Sequence, residues 1–250
     1  MVKSVFMTDR GRIRKHNEDS GGIFENKDGH RLAIVADGMG GHRAGDVASD
    51  MALENLRKRW VNSQGIDTAD RAEEWLLKNI SEINTILYEY AANNSECEGM
   101  GTTLVAAIAN NRFATIANIG DSRCYILNEA GFQQLTEDHS LVNELVRTGQ
   151  ISKEDAANHP KKNVLLRALG TEAEVEIDVK TIVFEEGDLL LLCSDGLTNK
   201  VGEEEMKDIL TKDASLDEKA RLFIDLANEK GGEDNITLLI LEYDDGSERG

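Results

Sequence analysis

TTLVAAIANNRFATIANIGDSRCYILNEAGFQQL, residues 102–135, is a run of short apolar segments separated by turn residues. Thr102–Ala109, Phe113–Ile119, Arg123–Asn128 and Phe132–Leu135 have strand length and strand composition. Asn110-Asn111 and Glu129-Ala130-Gly131 supply turn signals between them. Strands this close together predict antiparallel hairpins, because a parallel crossover needs about a dozen residues or more. Upstream, Val2–Asp9 and Arg31–Ala36 read as strands, the second ending at Asp37. A helix is expected over about 44–60, where Ala48, Ala52, Leu56 and Trp60 recur at spacing four. A stronger one spans about 69–90, striped by Leu76, Ile80, Ile83, Leu87 and Tyr90. Both stripes are expected to face a core.

Downstream, residues 137–168 form a polar, helix-like segment with two histidines and the only proline, Pro160. It reads as an insertion lying over the body. Val179–Phe184 and Asp188–Cys193 predict another hairpin, turned at Glu185-Glu186-Gly187. Helices are expected near 203–210 and 216–229, a last strand over 235–243, and a frayed tail at 245–250. No linker or internal repeat divides the chain. The order of elements predicts an α+β fold in one domain over 1–244, antiparallel sheets with helices outside.

The 250 residues carry 28 Lys and Arg against 47 Asp and Glu, a formal charge of −19. That balance argues against nucleic acid and anionic membranes as partners. A hydrophobic fraction of 40% is that of a globular chain. No apolar run approaches the roughly 20 residues of a membrane span, and the N-terminus has no secretory apolar region. Cys97, Cys124 and Cys193 make an odd count without metal-ligand spacing, which predicts reduced thiols and a cytoplasmic location.

The 22 glycines cluster beside acids. Asp37 follows RLAIVA, Asp121 follows FATIANIG, Asp195 follows LLLLCS, and Asp234 precedes ITLLILEY. Asp beside Gly is also an ordinary turn signature, and that reading stays open for each pair. Acids at the ends of core strands can converge in one cleft. Their repulsion would raise their pKa values unless a cation were present, and Mg²⁺ or Mn²⁺ suits an all-oxygen ligand set. The absence of clustered His and Cys argues against zinc. Near the N-terminus, Arg10, Arg12, Arg14 and Lys15 precede the acidic pair Glu18-Asp19. A guanidinium beside a metal cluster suits a phosphoryl group, although charge alone leaves a solvated loop equally open.

Six segments in order resemble the motifs of the metal-dependent Ser/Thr protein phosphatases of type 2C. They are TDRGRIRKHNED (8–19), LAIVADGMGGH (32–42), GMGTTLVAA (99–107), ANIGDSRCY (117–125), LLLLCSDGLTN (189–199) and GGEDNITLLIL (231–241). The resemblance implies a central β-sandwich flanked by pairs of antiparallel helices, in α-β-β-α layers. It also implies a dinuclear Mn²⁺ or Mg²⁺ centre and a flap at about 137–168. Asp37 would bridge the metals, Asp195 and Asp234 would complete one site, and Glu18 with the Gly38 carbonyl would serve the other. Asp19 would orient the attacking water, Arg14 would bind the substrate phosphate, and Asp121 with Asp195 would hold a weaker third metal. Two metals can activate a water and stabilise both the attacking and leaving oxygens, so no covalent intermediate is required and Cys193 reads as a buried strand thiol.

Eukaryotic members often place a histidine, proposed as general acid, where this chain has Met39. His42 could substitute, and water near Asp121 is the competing proton source. The resemblance implies phosphorylated Ser/Thr proteins as substrates and a bacterial Ser/Thr kinase as the opposing activity. A monomer is the default expectation. The alternative is a non-catalytic pseudophosphatase that binds a phosphoprotein, which the intact acids Asp37, Asp195 and Asp234 disfavour. A Ca²⁺-binding module would need a loop of alternating acids that no segment shows. The net charge predicts a preference for basic flanks around the phosphorylated residue, weakening with salt.

Overall fold

The computed structural model describes residues 2–41, 44–157 and 159–244. His42 and the 245–250 tail therefore lie outside the described residues. The strands are β1 (Val2–Asp9), β2 (Asp19–Glu25), β3 (Arg31–Met39), β4 (Gly101–Thr102), β5 (Leu104–Ala109), β6 (Phe113–Ile119), β7 (Arg123–Asn128), β8 (Gly131–Gln134), β9 (Asp178–Val183), β10 (Leu189–Cys193) and β11 (Ile236–Tyr243). The helices are α1 (Ala44–Trp60), α2 (Ala69–Asn93), α3 (Leu141–Arg147), α4 (Lys153–Ala157), α5 (Asp195–Thr198), α6 (Glu203–Leu210) and α7 (Leu216–Glu229).

Among the described residues the strands form two antiparallel sheets. One runs β1-β11-β10-β7-β8 and the other β2-β3-β5-β6-β9, with β4 pairing β3. Strand periodicity divides their apolar side chains between two faces. Ala33, Val35, Val105 and Ala107 meet Leu190, Leu192, Leu239 and Leu241 between the sheets. On the outer face of one sheet, Leu32, Ile34 and Ala36 pack with Leu56, Leu76, Ile80 and Ile83 of α1 and α2. On the outer face of the other, Leu191, Cys193, Leu238 and Ile240 pack with Met206, Phe223 and Ala227 of α6 and α7. Burial on both faces explains why LLLLC has no polar alternation. The layers are helix, sheet, sheet, helix, as the resemblance to the type 2C phosphatases implies.

Two expected hairpins are absent. β5–β6 and β7–β8 pair as consecutive strands, but β6 and β7 lie in different sheets. The chain passes from one sheet to the other through Gly120-Asp121-Ser122. Likewise β9 pairs with β6, and β10 with β7 and β11, so 179–193 is a crossing rather than a hairpin. Turn residues signal a reversal of direction without specifying which sheet receives the next strand. β2 has no counterpart among the expected strands, because Gly21-Gly22 breaks its apolar pattern. Phe6 fills the space above Gly21, where an added Cβ would stand 2.7 Å from its ring. Among the described residues, segment 137–168 holds two short helices, α3 and α4, within turns.

Candidate metal centre and active site

The acids collect at one end of the sandwich because of strand direction. Asp19 opens β2 and stands opposite Asp37 near the end of β3. Cys193 at the end of β10 pairs with Arg123 at the start of β7 and Leu238 near the start of β11. Asp121, Asp195 and Asp234 flank those three strand ends. The structure thus brings Glu18, Asp19, Asp37, Gly38, Asp121, Asp195 and Asp234 to the same end, with Arg14 beside them.

Gly38 lies against α1. An added Cβ there would overlap the Gly45 carbonyl oxygen and stand 2.6 Å from the Glu18 carbonyl oxygen. The Gly38 N–H donates to the Glu18 carbonyl at 3.1 Å, and Ser49 Oγ donates to the same oxygen at 2.6 Å. Arg14 Nη2 donates to Asp234 Oδ2 at 2.7 Å, and its Nη1 lies 4.0 Å from Glu18 Oε2. Its side chain remains 47% exposed, so the guanidinium fork is open to a further partner.

The electrostatics are those of crowded carboxylates. Burial raises the Asp19 pKa to about 7, aided by Asp195 and Asp234 against hydrogen bonds from Thr237 and Ser194. Burial also raises Asp121 to about 7, with Asp195 and Asp138 adding repulsion. Asp37 stands well above its ordinary value through burial and the charges of Asp19, Asp195, Asp121 and Asp234. Asp195 is raised by burial and by Asp234. Asp19 Oδ1 and Asp195 Oδ1 are buried without a hydrogen-bond partner among the described residues.

These observations fit a hard divalent cation, which would neutralise the repulsion and use the orphaned oxygens. No three His, Cys, Asp or Glu side chains among the described residues converge tightly enough to grip an ion alone. Mg²⁺-like ions retain several waters and accept carbonyl oxygens, so a mixed donor set does not require such convergence. Cys193 faces the α6–α7 core, and burial raises its thiol to about 12, which leaves it unsuited as a nucleophile.

Several residues that support this end were not singled out in sequence. Thr103 Oγ1 accepts from the Asp37 N–H at 3.0 Å, and the Thr103 N–H donates to the Asp37 carbonyl at 2.9 Å. Ser194 Oγ donates to Asp19 Oδ2 at 2.8 Å. Asn235 Oδ1 accepts from the Glu18 N–H at 2.8 Å, while its Nδ2 donates to the Arg10 and His16 carbonyls at 2.8 and 3.0 Å. Asn235 thereby ties both ends of the Arg14 loop to the start of β11. Its adjacency to Asp234 was the available signal. A groove of about 660 Å³ opens from Asp121 and Asp195 and is walled by Val142, Asn143, Lys153 and Lys162.

The family model described as protein phosphatase 2C matches residues 11–229. A serine/threonine phosphatase stp of Listeria welshimeri is 60% identical over 241 residues, covering 96% of each chain. The crystal structure of the serine/threonine phosphatase Stp1 from Staphylococcus aureus superposes with a TM-score of 0.93 at 40% identity, covering 98% of this chain and 96% of that one. The catalytic domain of the serine/threonine protein phosphatase PstP, solved with two manganese ions, gives 0.87 at 33% identity, over 98% and 99% of the two chains. With the acidic sandwich end, these matches place the chain in the protein phosphatase 2C family, as a bacterial-type protein serine/threonine phosphatase.

Proposed function

We propose that the chain hydrolyses phosphoserine and phosphothreonine esters of proteins at the acidic end of the sandwich, with two Mn²⁺ or Mg²⁺ ions held there. The observation that carries this reading is the group Asp19, Asp37, Asp121 and Asp195, all with raised pKa values and two of them with buried, unpartnered oxygens. Asp37 would be shared between the two ions, with Asp195 and Asp234 serving one and Glu18 with the Gly38 carbonyl the other. Asp121 with Asp195 would hold a weaker third ion. When bound, such ions supply charge neutralisation and make water a stronger nucleophile.

The protein's own groups do the rest. Arg14 presents two N–H donors to phosphoryl oxygens, and its contact with Asp234 sets the direction of that fork. Asp19, fixed through Oδ2 by Ser194, uses its other oxygen to orient the attacking water and take up its proton. The water oxygen bonds to phosphorus as the ester P–O bond breaks, and the departing alkoxide takes a proton. His42 is assigned as that proton's source. Met39, at the end of β3, has no proton to give.

Residues 1–244 are proposed as one domain, with 137–168 as a flap beside the site. The substrates are products of a bacterial Ser/Thr kinase that this enzyme opposes. A cytoplasmic setting is part of the same proposal, supported by three buried, unpaired thiols. Among the described residues no helix is long and apolar enough to cross a membrane. Phosphate release from a phosphothreonine peptide tests the site. Turnover should require Mn²⁺ or Mg²⁺, stop in EDTA, and vanish in Asp37→Asn. Undiminished turnover in EDTA or in that variant would sink the metal-centre reading.

A further inference from the structure

His139, at the base of segment 137–168, is 8% exposed and contacts three other stretches of chain. Its backbone N–H donates to the Gly120 carbonyl at 2.9 Å, and its carbonyl accepts from the Leu166 N–H at 2.8 Å. Its Nδ1 accepts from the Gly120 N–H at 3.2 Å, and its Nε2 lies 3.2 Å from Asp178 Oδ2. One residue thus joins both stems of the flap, the sheet-switching turn 120–122, and β9.

The partners assign the tautomer. Nδ1 faces an N–H and must offer a lone pair, so a neutral ring carries its proton on Nε2, directed at Asp178. Arg167 Nη1, 3.4 Å from Nε2, is then a donor facing a donor, and its hydrogen bond goes to Asp178 Oδ1 at 2.9 Å.

Beyond the turn the contacts continue to Asp37. Gly120 has φ +98, and an added Cβ would stand 2.7 Å from Thr103 Cγ2. Ser122 Oγ lies 2.7 Å from Thr103 Oγ1, and Thr103 binds both the N–H and the carbonyl of Asp37. A continuous route therefore runs from the flap stems through His139, the turn carrying Asp121, and Thr103 to Asp37.

We infer that His139 is a positioning residue for the phosphatase reaction. It fixes the turn that carries Asp121 against the base of the flap, so the acid and the flap keep one relative placement. This rests on the proposed role of Asp121. The ring acts through the placement of its two nitrogens.

The side chain separates into two testable halves. Asparagine can reproduce the acceptor at Nδ1, and glutamine can reproduce the donor at Nε2. His139→Ala and His139→Gln should each lower kcat about tenfold with KM little changed, while His139→Asn should recover most of that loss. In an Asp121→Asn background, His139→Gln should cause no further fall in kcat, because both changes act on one group. Limited trypsin digestion of the metal-free protein, at Arg147, Lys153, Lys161 and Lys162, should be several-fold faster in His139→Ala and unchanged in Asp121→Asn. Faster flap cleavage with wild-type kcat would reduce His139 to a tether and overturn the inference. So would a loss in the double variant equal to the product of the single losses. An Asp121→Asn enzyme with wild-type kcat would instead remove the role of Asp121, and the inference with it. His139→Asn and His139→Gln keep the test decisive if the alanine variant does not fold.

Discussion

Asp37 is the residue on which opposite demands meet. Its neighbour across the strand pair is Asp19, and like charges directly opposite in a sheet are destabilising. An asparagine of the same shape would remove one charge from the cluster. Asp37→Asn should therefore melt at a higher temperature than wild type in EDTA, while losing about 100-fold or more of its Mn²⁺-dependent activity. Thermal melts and phosphate-release rates on the same samples check both halves. A lower melting temperature in EDTA would show that Asp37 is not under repulsive load. Ser194 makes a complementary case. Its hydroxyl donates to Asp19 Oδ2 at 2.8 Å and accepts from the Thr237 N–H at 3.1 Å. Ser194→Ala leaves the Thr237 N–H without this acceptor and removes one of the hydrogen bonds to Asp19, and should cost about 1–3 kcal/mol in denaturant unfolding. A cost near zero would mean that water replaces the hydroxyl. Asp37, Asp121, Asp195 and Asp234 could be picked out in sequence because each flanks an apolar run, whereas Asp19 drew its role from the resemblance of its motif. Ser194 could not, because its partner lies 175 residues away and a serine at a strand end has many ordinary uses.

Elements carry the next constraint, which is how closely backbones approach. β3 and α1 meet at Gly38 and Gly45, where neither position has room for a side chain. Gly38→Ala would push β3 away from α1 and displace the Glu18 carbonyl that both Gly38 and Ser49 bind. It should reduce both folded yield and activity, with soluble expression and circular dichroism as the readouts. A well-folded, active Gly38→Ala protein would contradict this packing. α2 shows the more familiar side of element packing. Leu76 is fully buried against the sheet, and Leu76→Ala should cost about 2–5 kcal/mol of unfolding free energy. Helix α2 was readable because Leu76, Ile80, Ile83 and Leu87 meet one core, although Tyr90, the last residue of the expected stripe, lies 38% exposed near the end of the helix. The crossings at 120–122 and 185–187 were not, because hydrophobic period reports burial and leaves pairing partners open. That gap matters for the site, since the switch at Gly120 is what brings Asp121 to the acidic end.

Over the whole molecule, the buried acids and the −19 charge give stability the same pH direction, and they can be separated. Asp19 and Asp121 have folded pKa values of about 7 against an ordinary 3.8. Between those values the folded chain holds protons that the unfolded chain has released. Their contribution to stability is complete below the unfolded value and is lost as pH rises through about 7. The EDTA-treated protein should therefore melt higher near pH ~5.5 than near pH ~8. Divalent ions bind deprotonated carboxylates, so saturating Mn²⁺ should raise the melting temperature more at the higher pH and shrink that difference. General self-repulsion of an acidic surface would also favour the lower pH, but it is spread over many groups and screened by salt. Asp121→Asn removes one buried acid while changing the net charge by only one, so it should flatten the pH dependence in EDTA well beyond what that single charge accounts for. The flattening should persist at high salt. An unchanged slope in Asp121→Asn, or a slope abolished by salt in the wild type, would assign the effect to the surface and separate the acidic pocket from the stability of the fold.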